Sequence, residues 1–151
     1  RPPGPSVVFD VDGVLSDAAG RQHFVDGRSG RPKDWKAFFG ACGDDPLVDE
    51  VNTLLRLLDP TLMVVLLTAR PSYVRAETLA WLERYEVRWD LLVMRPEADP
   101  QPAASFKHAV VKALLAARYD LRLAFEDDRR NVAMFRSAGV PCVYIHSGYY
   151  E

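Results

Sequence analysis

The chain has 151 residues, 48% apolar and 26% charged, which fits one folded domain and excludes disorder and fibrous repeats. With 19 Lys and Arg against 21 Asp and Glu, the net charge is −2, so no global positive field would hold the domain on a polyanion. The longest apolar run, residues 62–67, is far below the roughly 20 residues of a bilayer-crossing helix, and no apolar segment of a secretion signal follows the first residue.

Residues 1–5, Arg-Pro-Pro-Gly-Pro, read as a linker or tag remnant ahead of a domain over 6–151, with room for a further domain before Arg1. The β-branched run 6–11 predicts a first strand buried on both faces. Residues 16–43 are glycine-rich with mixed charge and predict an irregular excursion with one short helix near 33–41. Asp45-Pro46 has the form of a capping carboxylate followed by proline in the first helical turn, and Leu47, Val51, Leu54, Leu55 and Leu58 continue at helical spacing, predicting a helix over 46–58. The continuous apolar run 62–67 predicts a second buried strand, and Pro71 predicts the start of a helix reaching Tyr85.

A third strand is expected over 90–94, then a proline-rich loop over 97–102. A helix carrying Phe106, Val110, Ala113, Leu114 and Ala117 follows, with a fourth strand over 121–125, a short helix through Val132 and Phe135 to Gly139, and a fifth strand over 142–145. Strands alternating with amphipathic helices predict an α/β fold, a parallel sheet covered on both faces. Cys42 and Cys142 lie 100 positions apart and read as reduced thiols, compatible with a cytoplasmic protein.

In a sheet of this kind ligands bind beyond the carboxyl ends of the strands, where the strand order reverses. Asp10, Asp12, Thr68, Arg95, Glu126 and Asp127 all stand at or just past such ends. Asp10-Val11-Asp12-Gly13 directs two carboxylates from one strand end, and Asp127 brings a third acid, so the cluster calls for a cation. Few, hard oxygen donors favour Mg²⁺ with a phosphate completing its shell. The Thr68 hydroxyl and the Ala69 N–H are placed to meet an anion before the next helix. Lys107 opposes the dipole of its helix and makes sense there if it faces phosphate and acids. Alternative readings are a solvated Asp-x-Asp turn, an ordinary strand-to-helix Thr and a surface lysine.

Residues 9–15 (Phe-Asp-Val-Asp-Gly-Val-Leu), 66–70 (Leu-Leu-Thr-Ala-Arg), Lys107 and 125–128 (Phe-Glu-Asp-Asp) resemble, in order, the four motifs of the haloacid dehalogenase superfamily. The resemblance implies a Rossmann-like three-layer sandwich with about five central parallel strands, and the short spacings leave no space for a full cap domain. It implies Asp10 as the nucleophile that takes the phosphoryl group and Asp12 as the acid for the leaving oxygen and the base for water. Thr68 and Lys107 would hold phosphate. Asp10, the carbonyl of Asp12 and Asp127 would bind Mg²⁺, with Glu126 acting through water or pairing with Lys107.

A nearer resemblance, to the 3′-phosphatase domain of phage-type polynucleotide kinase-phosphatases, rests on residues 65–70 and on 123–129 with Met134, Gly139, Val140 and Cys142. It makes Arg70 and Arg95 candidate substrate contacts and a phosphorylated DNA or RNA end the expected substrate. The sequence departs from it in having Glu126 where aspartate is usual and in residues 20–43. Free nucleotides or other small phosphates are the alternative substrates, and a non-catalytic phosphate-binding domain the remaining alternative. Arg21, Arg28, Arg31, Lys33 and Lys36, interleaved with Phe24, Trp35, Phe38 and Phe39, read either as a groove for a strand end or as a solvated basic loop with Trp35 and Phe39 packed into the core.

Overall fold

A computed structural model describes residues 3–27 and 30–150. Five strands, β1 (Pro5–Phe9), β2 (Met63–Pro71), β3 (Leu91–Arg95), β4 (Asp120–Glu126) and β5 (Cys142–Tyr144), form one parallel sheet in the order β3-β2-β1-β4-β5. The helices are α1 (Trp35–Gly40), α2 (Asp49–Leu57), α3 (Arg75–Arg84), α4 (Ala103–Ala116) and α5 (Arg129–Ser137).

Alternation along β1 builds the three layers. Val7 and Phe9 point to one face, where Val51 and Leu55 of α2 and Trp81 and Leu82 of α3 cover them; Val8 points to the other, under Val111 and Leu114 of α4 and Val132 and Phe135 of α5. β1 is central, with Phe9 in register with Leu66 of β2 on one side and Phe125 of β4 on the other. The chain winds from β1 through β2 to β3, then crosses back to β4, so the order reverses at the carboxyl ends of β1 and β4. That is where the open sheet leaves a crevice. Among the described residues no helix is long and apolar enough to cross a membrane.

Three boundaries differ from the sequence expectation for identifiable reasons. β1 takes in Pro5, in register with Asp120, and ends at Phe9 because the chain then turns: Leu15 and Ser16 both donate to the Val11 carbonyl. The helix expected from Pro46 starts at Asp49. Asp45 accepts from the Ser16 hydroxyl and from Arg21 instead of capping a helix, and Leu47 forms an antiparallel bridge with Ser16. β2 runs on to Pro71, whose backbone is extended, and a single tight turn over Ser72–Val74 separates it from α3. Thr68 and Ala69 are therefore strand residues, and no helix N-terminus follows them directly.

Candidate active site

Asp10 is the first residue after β1, and its N–H still donates to the Phe125 carbonyl at 3.1 Å, which fixes it to the sheet. Its Oδ1 accepts from the Val11 N–H at 2.8 Å and lies 3.0 Å from Lys107 Nζ. Lys107, on the second turn of α4 and almost fully buried, also donates to Glu126 Oε2 at 2.8 Å. Burial alone would lower the lysine pKa, but Asp10 and Glu126 overcome it and raise it, so the ammonium is retained. The other Glu126 oxygen accepts from the N–H groups of Asp127 and Asp128. Burial pushes Glu126 up, and the charge of Lys107 brings it below the usual carboxylate range.

Asp127 stands apart from these satisfied groups. It is 1% exposed, and neither carboxylate oxygen has a hydrogen-bond partner among the described residues. Burial lifts its pKa to about 7, and burial with the charge of Glu126 raises Asp10 well above its ordinary value. Asp10, Glu126 and Asp127 can each offer one oxygen within 4.8 Å of the others. Gly13 makes this packing possible: it turns at φ +80°, and a Cβ there would stand 2.1 Å from Asp127 Oδ2.

Asp12 lies on the opposite flank in a different charge environment. Its Oδ1 accepts from Arg21 Nη2 at 2.6 Å and from Arg70 Nη2 and Nε at 2.7 and 3.1 Å. Burial would raise the Asp12 pKa, but the charges of Arg70 and Arg21 lower it below the ordinary range. Both guanidiniums are themselves held: Arg21 makes a bidentate pair with Asp45 at 2.8 and 2.7 Å, and Arg70 donates to Thr78 at 3.1 Å. The Asp45 carbonyl accepts from the indole of Trp81, tying this layer to α3.

Asp10, Asp12, Thr68, Ala69, Arg70, Arg95 and Lys107 all line one cavity of about 590 Å³, with Glu126 and Asp127 buried beneath. The sequence-derived set is thus brought together, in unequal roles. Thr68 is buried, and its hydroxyl accepts from the Arg70 N–H at 3.1 Å, leaving its own proton to donate. Arg70 is fully buried and engaged with Asp12. Arg95 donates to the backbone carbonyls of Asp99 and Gln101 at the cavity edge.

Arg21 is neither a groove residue nor solvated. It is 2% exposed, its guanidinium 4.4 Å above the Phe38 ring and clamped between Asp12 and Asp45. Arg28 lies outside the described residues. Trp35 is 49% exposed and lines the cavity with Lys33, Phe38 and Phe39, so of the two rings expected to pack, Trp35 does not and Phe39 is half-buried, while Phe38 is the buried one. Sequence reasoning places Arg21 in a groove or loop and Asp45 at a helix cap, and misses that the two pair. The one available signal was composition: a carboxylate next to proline and an arginine amid glycines have no local partner, and their pairing spans 24 positions. Tyr149 and Tyr150 also line the cavity, and the Tyr149 hydroxyl donates to Asp17 at 3.2 Å.

Comparison with known proteins places this geometry. A chain in a structure of the Pnkp1/Rnl/Hen1 RNA repair complex superposes with a TM-score of 0.79 at 24% identity, over 97% of this chain and 43% of that one. A class C acid phosphatase from Bacillus anthracis gives a TM-score of 0.69 at 14% identity, over 99% of this chain and 69% of that one. A haloacid dehalogenase-like hydrolase from Streptococcus pneumoniae gives 0.65 at 15%, covering 97% and 87%. These likenesses show the haloacid dehalogenase fold, and this chain spans less than half the length of the repair-complex chain. Residues 4–150 match the family described as the polynucleotide kinase PNKP phosphatase domain, and the chain belongs to that family of haloacid dehalogenase-type phosphatases.

Proposed function

We propose that the protein removes 3′-phosphates from DNA or RNA ends, with Mg²⁺ and through a phosphoryl group carried on Asp10. The observation that carries this reading is the convergence of Asp10, Asp12, Thr68 and Lys107 on one cavity. The donor set fits a hard cation: of three clustered buried carboxylates, Asp10 and Glu126 share a single ammonium, and both oxygens of Asp127 lack a hydrogen-bond partner among the described residues. Asp10, Asp127 and the Asp12 carbonyl would hold Mg²⁺, with Glu126 contributing through water or through its pair with Lys107. Bound there, the ion supplies positive charge against the repulsion between a carboxylate and a phosphate dianion.

The chain's own residues do the rest. Lys107 and the Thr68 hydroxyl hold the phosphate oxygens beside Asp10, whose backbone is anchored at the strand end so that its carboxylate is held in a fixed position. An Asp10 oxygen forms a bond to phosphorus as the bond from phosphorus to the ester oxygen breaks. Asp12, ionised in the free site under the charges of Arg21 and Arg70, takes up a proton from solvent as the phosphate binds and gives it to that oxygen, returning to its carboxylate. It then takes a proton from the water that attacks the aspartyl phosphate, releasing inorganic phosphate and restoring both acids. The nucleic-acid substrate is supported by the family and by the neighbour's place in an RNA repair complex.

The test is phosphate release from a 3′-phosphorylated oligonucleotide, from the same strand phosphorylated at its 5′ end, and from free nucleotides, each with Mg²⁺ or with chelator. A strong, Mg²⁺-dependent preference for the 3′ end is expected. Preference for free nucleotides would reject the polymer substrate while keeping the catalytic residues.

A further inference from the structure

The catalytic groups occupy one part of a 590 Å³ cavity, a volume in the range of sites for drug-sized molecules. The rest of the wall faces whatever alcohol carries the phosphate. Its largest element is Trp35, the first residue of α1. Helix α1 is capped by Asp34, which accepts from the Ala37 N–H at 3.0 Å, and it turns Phe38 inward beneath Arg21. Trp35 lies one turn before Phe38 on the same face, yet it stays 49% exposed at the lip of the cavity.

The indole is not loose. It meets Phe38 edge-on at 5.6 Å and 90°, and it stacks against Phe39 at 5.8 Å and 25°. A half-open aromatic plane is thus held in place before any ligand arrives, which limits the entropy lost on contact. Cations flank it: Lys33 Nζ is 5.8 Å from the Trp35 ring centroid, and Arg95 lines the same cavity with only carbonyl partners among the described residues. A flat ring beside unneutralised positive charge, in a cavity that ends at Asp10 and Lys107, has the chemistry of a platform for single-stranded nucleic acid.

We infer that Trp35 is the stacking surface for the base of the nucleotide whose phosphate is removed, and that Lys33 and Arg95 receive the backbone leading away from it. The inference rests on the proposed strand-end substrate and adds to it the contact that tells a nucleoside phosphate from other phosphate esters. A sugar phosphate without a base would reach Asp10 but leave the indole uncovered.

The experiment is a cycle of two changes, Trp35→Ala in the enzyme and removal of the terminal base in a 3′-phosphorylated oligonucleotide, read as kcat/KM. Stacking on one aromatic ring is worth roughly tenfold in such a comparison. The natural enzyme is expected to lose about that factor on the abasic strand. Trp35→Ala is expected to lose it on the intact strand and then to treat both strands alike, while Trp35→Phe recovers most of the discrimination. Because each enzyme is judged on the ratio of two substrates, a partly unfolded variant does not mimic this result.

The inference is overturned if Trp35→Ala still discriminates between the strands as strongly as the natural enzyme, or if the natural enzyme treats both alike. If the natural enzyme ignores oligonucleotides but cleaves nucleoside monophosphates, the strand-end reading fails. The same cycle on a nucleoside monophosphate and its base-free sugar phosphate then decides the role of Trp35 by itself.

Discussion

The two flanks of the cavity use the same residue types to opposite ends. On the floor, Asp10 and Glu126 share one ammonium, Lys107, while neighbouring Asp127 is left with no hydrogen-bond partner among the described residues. On the facing shelf, Asp12 and Asp45 meet Arg21 and Arg70, two negative charges against two positive, and the forks of the guanidiniums are filled. The shelf is complete as folded and acts as a fixed mount for Asp12. The floor is electrostatically incomplete, and its missing charge is what a cation would bring. Burial distinguishes the outcomes as well: it raises Asp10 and Asp127, whereas arginine charge reverses it at Asp12.

Changes on the two flanks are therefore expected to fail differently. The largest effect belongs to Asp10→Asn, which removes the proposed nucleophile: phosphate release is expected to fall on the order of 10⁴-fold or more, while circular dichroism is expected to show an intact fold. Asp127→Asn comes next. Mg²⁺ is expected to raise the melting temperature of the natural protein by binding the folded state, and this rise should vanish in the variant, with activity down roughly 100-fold or more. An undiminished Mg²⁺ shift in Asp127→Asn would break the comparison.

On the shelf, Asp45→Asn leaves Arg21 and Arg70 short of a negative partner in a buried setting. Breaking such a pair costs about 3 kcal/mol or more, so denaturant unfolding should show that loss while the Mg²⁺-induced shift survives. Gly13→Ala is expected to have the smallest effect on stability, about 2 kcal/mol from the left-handed backbone. Its Cβ, 2.1 Å from Asp127 Oδ2, should displace the floor carboxylate and weaken the Mg²⁺ shift.

Most of the fold was legible because its signals are local. The runs at 6–11 and 62–67 are too apolar and too short for surface helices, and they became the adjacent strands β1 and β2. The floor was legible because strand ends place Asp10 and Asp127 side by side in any sheet of this order. The shelf was not. Asp45-Pro46 looks like a helix start, and only the folded chain brings Arg21 and Ser16 to that carboxylate, so the cap is forgone and α2 begins at Asp49. Arg70 reads as a substrate contact from its place two residues after Thr68 and Arg21 as a groove or solvated-loop residue, and neither reading foresees their carboxylate partners. Their acids come from 58 positions and nine positions away, and nothing in the local pattern announces burial.

The central claim is that Asp10, on the incomplete flank, carries the phosphoryl group. It is tested most directly by acid-quenching the enzyme during turnover of a 3′-phosphorylated oligonucleotide with Mg²⁺ and mapping phosphorylated peptides by mass spectrometry. The account predicts a hydroxylamine-labile phosphoryl group on the peptide containing Asp10, absent from Asp10→Asn. Near-natural turnover by Asp10→Asn, or the adduct on another residue, would contradict it.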